Sequence, residues 1–145
     1  FKSRVLDDIR SEIWLKLWGN LTFNPISALT HATLVDICQF PLTRKLAATM
    51  MTEAQAIGER LGAGFRVPME RRINGAEGVG KHKTSMLQDV EAGKPLEIDG
   101  MLGVVVELAE ITQVEVPTLR ALYACVSLLN KTIQDEQVRI KGEPR

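Results

Sequence analysis

Apolar residues recur at three- and four-residue spacing through most of this chain, the period of helices buried along one face. From Leu42 to about Leu61 the apolar set is Leu46, Met50, Ala54, Ile57 and Leu61. Thr49, Glu53, Gln55, Glu59 and Arg60 fill the remaining positions, so the pattern predicts one long amphipathic helix, ended by Gly62 and Gly64. After Pro117 the same spacing predicts a last helix with Leu119, Leu122, Tyr123, Val126, Leu129 and Ile133 inward. "KTSMLQDVEAGKP" reads as a short helix through Val90 with a Gly93 stop, and "LEIDGMLGVVVELAEIT" as a further helix apolar on most sides. Residues 64–81 are the least regular part, with room for a polar helix around Met69 to Ile73 and a glycine-rich loop after it. Near the start a helix is predicted from about Asp8 to about Phe23, with Asp7 and Asp8 favourable to its dipole. Asn24-Pro25 is expected to break or kink it, because a residue before proline avoids the helical region, and a second helical piece is expected to begin at Pro25. "GVVVEL" is β-branched but sits inside a longer helical pattern without turn signals. The prediction is all-α, one domain, with about six to eight helices.

Composition narrows the partners more than the fold. A chain of 145 residues suits one domain with a core of its own, and 45% hydrophobic with 25% charged residues is ordinary for a globular protein. The 18 basic and 18 acidic residues cancel, so no broad basic field exists for nucleic acid or an anionic membrane. Cys38 and Cys125 are far apart in apolar surroundings, which predicts buried free thiols in a reducing, cytoplasmic setting. No apolar run reaches the length of a membrane span, and no signal peptide is visible. The chain opens on Phe1, and "FKSRVLDDIRSEIW" reads like a helix already under way, as expected of one domain from a longer chain; the tail "KGEPR" is expected to fray.

Candidate chemistry is concentrated in two places. In "LKLWGNLTFNP", Lys16, Asn20 and Asn24 recur every fourth residue among Ile13, Trp14, Leu15, Leu17, Trp18, Leu21 and Phe23. Such residues share one helical face if the helix continues. A solvent-facing stripe would explain that face, but such stripes are usually wider and more mixed. One cation with two amides offers the convergent donors that a small polar anion needs. The second place is "SMLQDVEAGKPLEID", where Ser85, Gln88, Asp89, Glu97 and Asp99 lie around a helix end and the next helix start, and where helix capping is explanation enough. "GAEGVGK", Gly75 to Lys81, fits G-x-x-x-x-G-K, but His82 stands where a P-loop needs Ser or Thr and "MERRIN" before it is no strand. His31 and His82 stand alone, so neither a triad nor a metal site is argued, and both are expected to be structural. Met50, Met51 and Met86 are expected in the core.

Taken together, the two segments resemble the C-terminal domain of the ketopantoate reductase (2-dehydropantoate 2-reductase) family. "KLWGNLTFNPISALT" is similar to its K-L-x-x-N-x-x-x-N-P-[LI]-[ST]-A-L element, and the stretch from "SMLQDVEAGKPLEID" through "VPTLRALYACVSLLN" to its second signature. The likeness runs from about Ile13 to Ile133, and from Pro41 to Lys81 only in helical character.

The resemblance implies a multi-helix domain of the 6-phosphogluconate-dehydrogenase-like type that binds substrate and dimerises. It implies NADPH held mainly by an N-terminal Rossmann domain absent from this chain, with the active site in the cleft between the two. The implied reaction reduces 2-dehydropantoate to (R)-pantoate, on the way to pantothenate and coenzyme A. By motif position Lys16 and Glu97 match the catalytic pair, and Asn20, Asn24 and Ser85 the substrate-binding residues; no metal is implied. A family reductase for another 2-oxo acid and a non-catalytic helical dimerisation module are the competing readings. Two positions depart from the pattern: Leu102-Gly103 stands where the family has Asn-Gly, and Leu119 replaces the proline after V-P-T.

Overall fold

A computed structural model describes residues 9–136, less the side chain of Arg10. The expectations for Asp7, Asp8 and the C-terminal tail lie outside the described residues. Among the described residues seven α-helices follow one another: α1 Ile9–Thr30, α2 Leu34–Gln39, α3 Pro41–Arg60, α4 Met69–Val79, α5 Ser85–Ala92, α6 Val104–Thr112 and α7 Pro117–Glu136. A π-helical turn, Asp99–Gly103, leads into α6. The all-α expectation holds, and no described helix is long and apolar enough to cross a membrane.

The first correction concerns Pro25. It lies inside α1, which runs unbroken for 22 residues. Proline there removes one backbone donor and crowds the preceding turn, at a cost of about 3 kcal/mol. Packing outweighs this cost, since every residue from Leu21 to Ala28 is buried. The Thr22 hydroxyl donates to the Trp18 carbonyl at 2.8 Å, and the Trp18 indole N–H to the Met51 carbonyl on α3, also at 2.8 Å. Trp18 further meets Phe65 edge-on, with ring centroids 5.0 Å apart. The core therefore lies between α1 and α3: Trp18, Leu21, Phe23 and Ile26 on one side, Met50, Met51, Ala54 and Ile57 on the other.

The long third helix and the last helix follow the predicted pattern, α7 burying Leu119, Val126 and Ile133 fully and Leu122, Tyr123 and Leu129 in part. Gly62 ends α3 with φ at +86°, a value that glycine adopts without strain. The start of α7 is closed from inside the protein. Thr118 and Leu119 donate their backbone N–H groups to the Glu53 carboxylate of α3, at 3.1 and 2.9 Å. A proline at Leu119 would have no such N–H.

Three further expectations change. Gly75 and Gly78 belong to α4, not to a flexible loop, because α4 buries Ile73 and Ala76 and continues to Val79. Cys38 is buried as expected, but Cys125 is exposed on the outer side of α7. Burial pushes the Cys38 thiol above its ordinary range; Arg44 opposes this and Glu77 adds to it. The segment before and within α6 is less enclosed than its apolar sequence suggests, with Val104 and Ile111 exposed and only Val105 and Ala109 buried within α6.

Candidate functional site

The stiffness of α1 decides where its polar residues lie. Because the helix does not break at Pro25, Lys16, Asn20 and Asn24 stay on one face, and Asn20 and Asn24 line a cavity of about 500 Å³. Phe23 and Gly19 complete the wall contributed by α1. Asn24 is buried and its side chain makes no hydrogen bond among the described residues, so its amide groups are available to the cavity. Asn20 is exposed at the same wall.

Facing this wall is the start of α5. Thr84 caps that helix, accepting the Leu87 N–H at 3.2 Å, and Ser85 begins it; both line the cavity. A hydroxyl chain fixes the two walls to each other. Ser27 donates to the Asn24 carbonyl at 2.9 Å, and Thr84 makes a short hydrogen bond with Ser27. With the Ser27 proton committed to Asn24, Thr84 donates to Ser27 and still accepts from Leu87. One buried chain of hydroxyls thus positions Asn24, Thr84 and the N-terminal turn of α5. That turn presents backbone donors and the positive end of a helix dipole, an arrangement that favours an anion.

The remaining lining comes from α4 with Arg72, Ala76 and Val79, from Leu34 on α2, from His82, and from Met101 in the π-helical turn. His82 is exposed, and its backbone is held because the Leu34 N–H donates to its carbonyl at 3.1 Å. It is one of the residues that line the cavity. The π-helical turn places Met101 at the cavity and Leu102 in the core.

The structure therefore gathers three of the five sequence-selected residues, Asn20, Asn24 and Ser85, around one cavity. Lys16 is exposed one turn before Asn20 on the same face of α1, outside the lining. Glu97 is also exposed and outside the lining, in the segment leading to the π-helical turn. That segment is tied to α7 on both sides of Glu97. The Leu96 N–H donates to Asn130 Oδ1 and the Tyr123 hydroxyl to Asp99 Oδ1, each at 2.8 Å. The Asp99 contact raises the Tyr123 hydroxyl above its ordinary pKa. Sequence reasoning passed over Thr84, Arg72, Phe23 and Gly19. Only Thr84 left a readable sign, as a hydroxyl residue directly before a helix.

A family model described as "Ketopantoate reductase PanE/ApbA C terminal" matches residues 8–130. The chain belongs to this ketopantoate reductase C-terminal family. A 2-dehydropantoate 2-reductase from Mesorhizobium japonicum is 58% identical over 125 residues, covering 86% of this chain and 38% of the relative. Another, from Pyrobaculum aerophilum, is 33% identical and covers 83% of this chain and 43% of the relative. The crystal structure of 2-dehydropantoate 2-reductase from Methylococcus capsulatus superposes with a TM-score of 0.79 at 29% identity, over 86% of this chain and 44% of that one. The chain thus spans about two-fifths of the length of the curated relatives it matches. Neither departure from the ketopantoate reductase pattern lines the cavity: Leu102 and Leu119 are both buried in the core.

Proposed function

We propose that this chain is the substrate-binding and catalytic domain of an NADPH-dependent reductase converting 2-dehydropantoate to (R)-pantoate. The observation that carries the reading is the convergence of Asn20, Asn24 and Ser85 on one cavity, with Lys16 one turn along the same helical face. Relatives bearing the 2-dehydropantoate 2-reductase name support it.

The chain has no G-x-G-x-x-G following a strand, so its own residues do not form a dinucleotide site. An N-terminal Rossmann domain would hold NADPH, which supplies the hydride. This chain's residues do the rest. The amides of Asn20 and Asn24 and the Ser85 hydroxyl hold the hydroxyl and carboxylate of the oxo acid, fixing its carbonyl in place. The ammonium group of Lys16 meets the carbonyl oxygen, stabilises the negative charge that develops there, and gives up its proton. Glu97 holds the lysine in position. The enzyme works in the cytoplasm as a homodimer, for which the exposed apolar positions of the long helices offer a face.

The test is oxidation of NADPH by the complete gene product in the presence of 2-dehydropantoate, with pantoate identified as product. The expected result is turnover with 2-dehydropantoate at a higher kcat/KM than with smaller 2-oxo acids. Preference for another 2-oxo acid would transfer the reading to that substrate, and no turnover with any would overturn it. The 145-residue chain alone is expected to show no NADPH binding by calorimetry; micromolar affinity would contradict the division of labour.

A further inference from the structure

We infer that Arg72 is a specificity-determining residue of the cavity, a carboxylate-binding guanidinium seated on Gly19. The inference rests on the reductase reading above and adds to it a residue outside both sequence signatures.

Arg72 comes from α4, lines the cavity together with the α5 start, and is only half-buried. Its side chain makes no hydrogen bond or ion pair with any described residue. The acidic residues of its own helix are engaged elsewhere. Glu70 and Glu77 both pair with Arg44 of α3, at 3.1 and 3.4 Å, and Arg44 also donates to Asn74 at 2.7 Å. Glu70, Asn74 and Glu77 share one face of α4, while Arg72, Ala76 and Val79 lie on the opposite one, toward the cavity. None of the residues lining that cavity is acidic. A half-buried guanidinium at the cavity, with no carboxylate of its own protein, is open to a carboxylate arriving with a ligand, which its planar fork can grip with two parallel hydrogen bonds.

Gly19 supplies the seat. A Cβ built on Gly19 would lie 2.1 Å from Nη2 and 2.8 Å from Cζ of Arg72. The guanidinium therefore rests directly on the backbone of α1, between the turns that carry Lys16 and Asn20. Any side chain at position 19 would push it away. Because the displaced atoms are the far end of a flexible side chain, the protein would still fold.

The test uses the complete gene product with Arg72→Met, Arg72→Lys and Gly19→Ala. Losing a charge-assisted pair of hydrogen bonds should raise KM for 2-dehydropantoate on the order of ten- to a hundredfold in Arg72→Met, with KM for NADPH within about twofold of wild type. Arg72→Lys should recover only part of the loss, since an ammonium lacks the fork. Gly19→Ala should reproduce the defect, and adding it to Arg72→Met should cost little more, as expected of two residues acting through one contact. An unchanged KM for the oxo acid in Arg72→Met would overturn the assignment. So would a rise confined to NADPH, which would place the guanidinium on a cofactor phosphate. Calorimetric binding of pantoate to wild type and Arg72→Met separates this inference from the reductase reading. If no 2-oxo acid is turned over, that reading falls, and Arg72 keeps its role only if wild type binds pantoate and Arg72→Met does not.

Discussion

The two sides of α4 differ in how their polar groups are served. On the side facing α3, Arg44 engages Glu70, Asn74, Glu77 and the Cys38 carbonyl, the last at 3.0 Å. Close by on α3, Glu53 takes two N–H groups at the start of α7. On the cavity side, Arg72 and the Asn24 amide have no partner among the described residues, and the α5 start opens on empty space with only its Thr84 cap. Polar groups saturated by their own protein hold the fold, whereas polar groups that face a cavity without a protein partner are free to meet a ligand. The difference predicts that substitutions on one side act on stability and on the other side act on function.

The largest effect should come from Lys16→Ala in the complete protein, with kcat lowered on the order of a hundredfold or more and NADPH affinity and thermal midpoint little changed. An unchanged kcat would remove Lys16 from the chemistry. On the saturated side, Glu53→Ala strips two N–H groups of α7 of their acceptor. It should cost about 1–3 kcal/mol in urea unfolding while leaving turnover per folded molecule intact. A loss of activity with no loss of stability would erase the contrast between the two sides. Ser85→Ala should raise KM for the oxo acid roughly tenfold and shift stability by no more than about 0.5 kcal/mol, because Thr84 and not Ser85 caps α5. The smallest effect concerns the two thiols. In the native protein an alkylating reagent should modify Cys125 rapidly and Cys38 slowly, since burial keeps the Cys38 thiol protonated and its Sγ donates to the Ile73 carbonyl at 3.6 Å. Mass spectrometry of tryptic peptides reads both rates, and equal rates would mean that the saturated side opens readily.

Helical period alone placed α3 and α7, because long amphipathic stretches state their buried face directly. It failed at Pro25 because the rule used there is local. A proline disfavours the helix around it, but burial of the whole stretch from Leu21 to Ala28 is a tertiary gain that no short window contains. Gly75 and Gly78 misled in the same way: glycine lowers helix propensity, yet Ile73 and Ala76 anchor α4 and Arg44 clamps its outer face. In the cavity, Asn20 and Asn24 were legible by spacing and Ser85 by its motif. Arg72 was not, since its meaning depends on Gly19 lying opposite, a juxtaposition made only when α4, packed on α2 and α3, reaches α1 with the tip of that side chain. Exposure of Cys125 was missed because the helical stripe that contains it is apolar, and an apolar stripe need not be covered within one chain.

The unbroken first helix has a consequence for timing. Trp18, Leu21 and Ile26, among the most deeply buried residues, share one rod about 33 Å long with Asn20 and Asn24. Amide hydrogens from Trp18 to Ser27, Pro25 excepted, would then exchange only when the whole domain unfolds, in the slowest class the molecule has. A wall this slow does not unfold locally to admit a ligand. The α5 start, tied to this wall through Ser27 and Thr84, shares its stiffness, so any widening of the cavity falls to the lining that α2, α4 and the π-helical turn contribute.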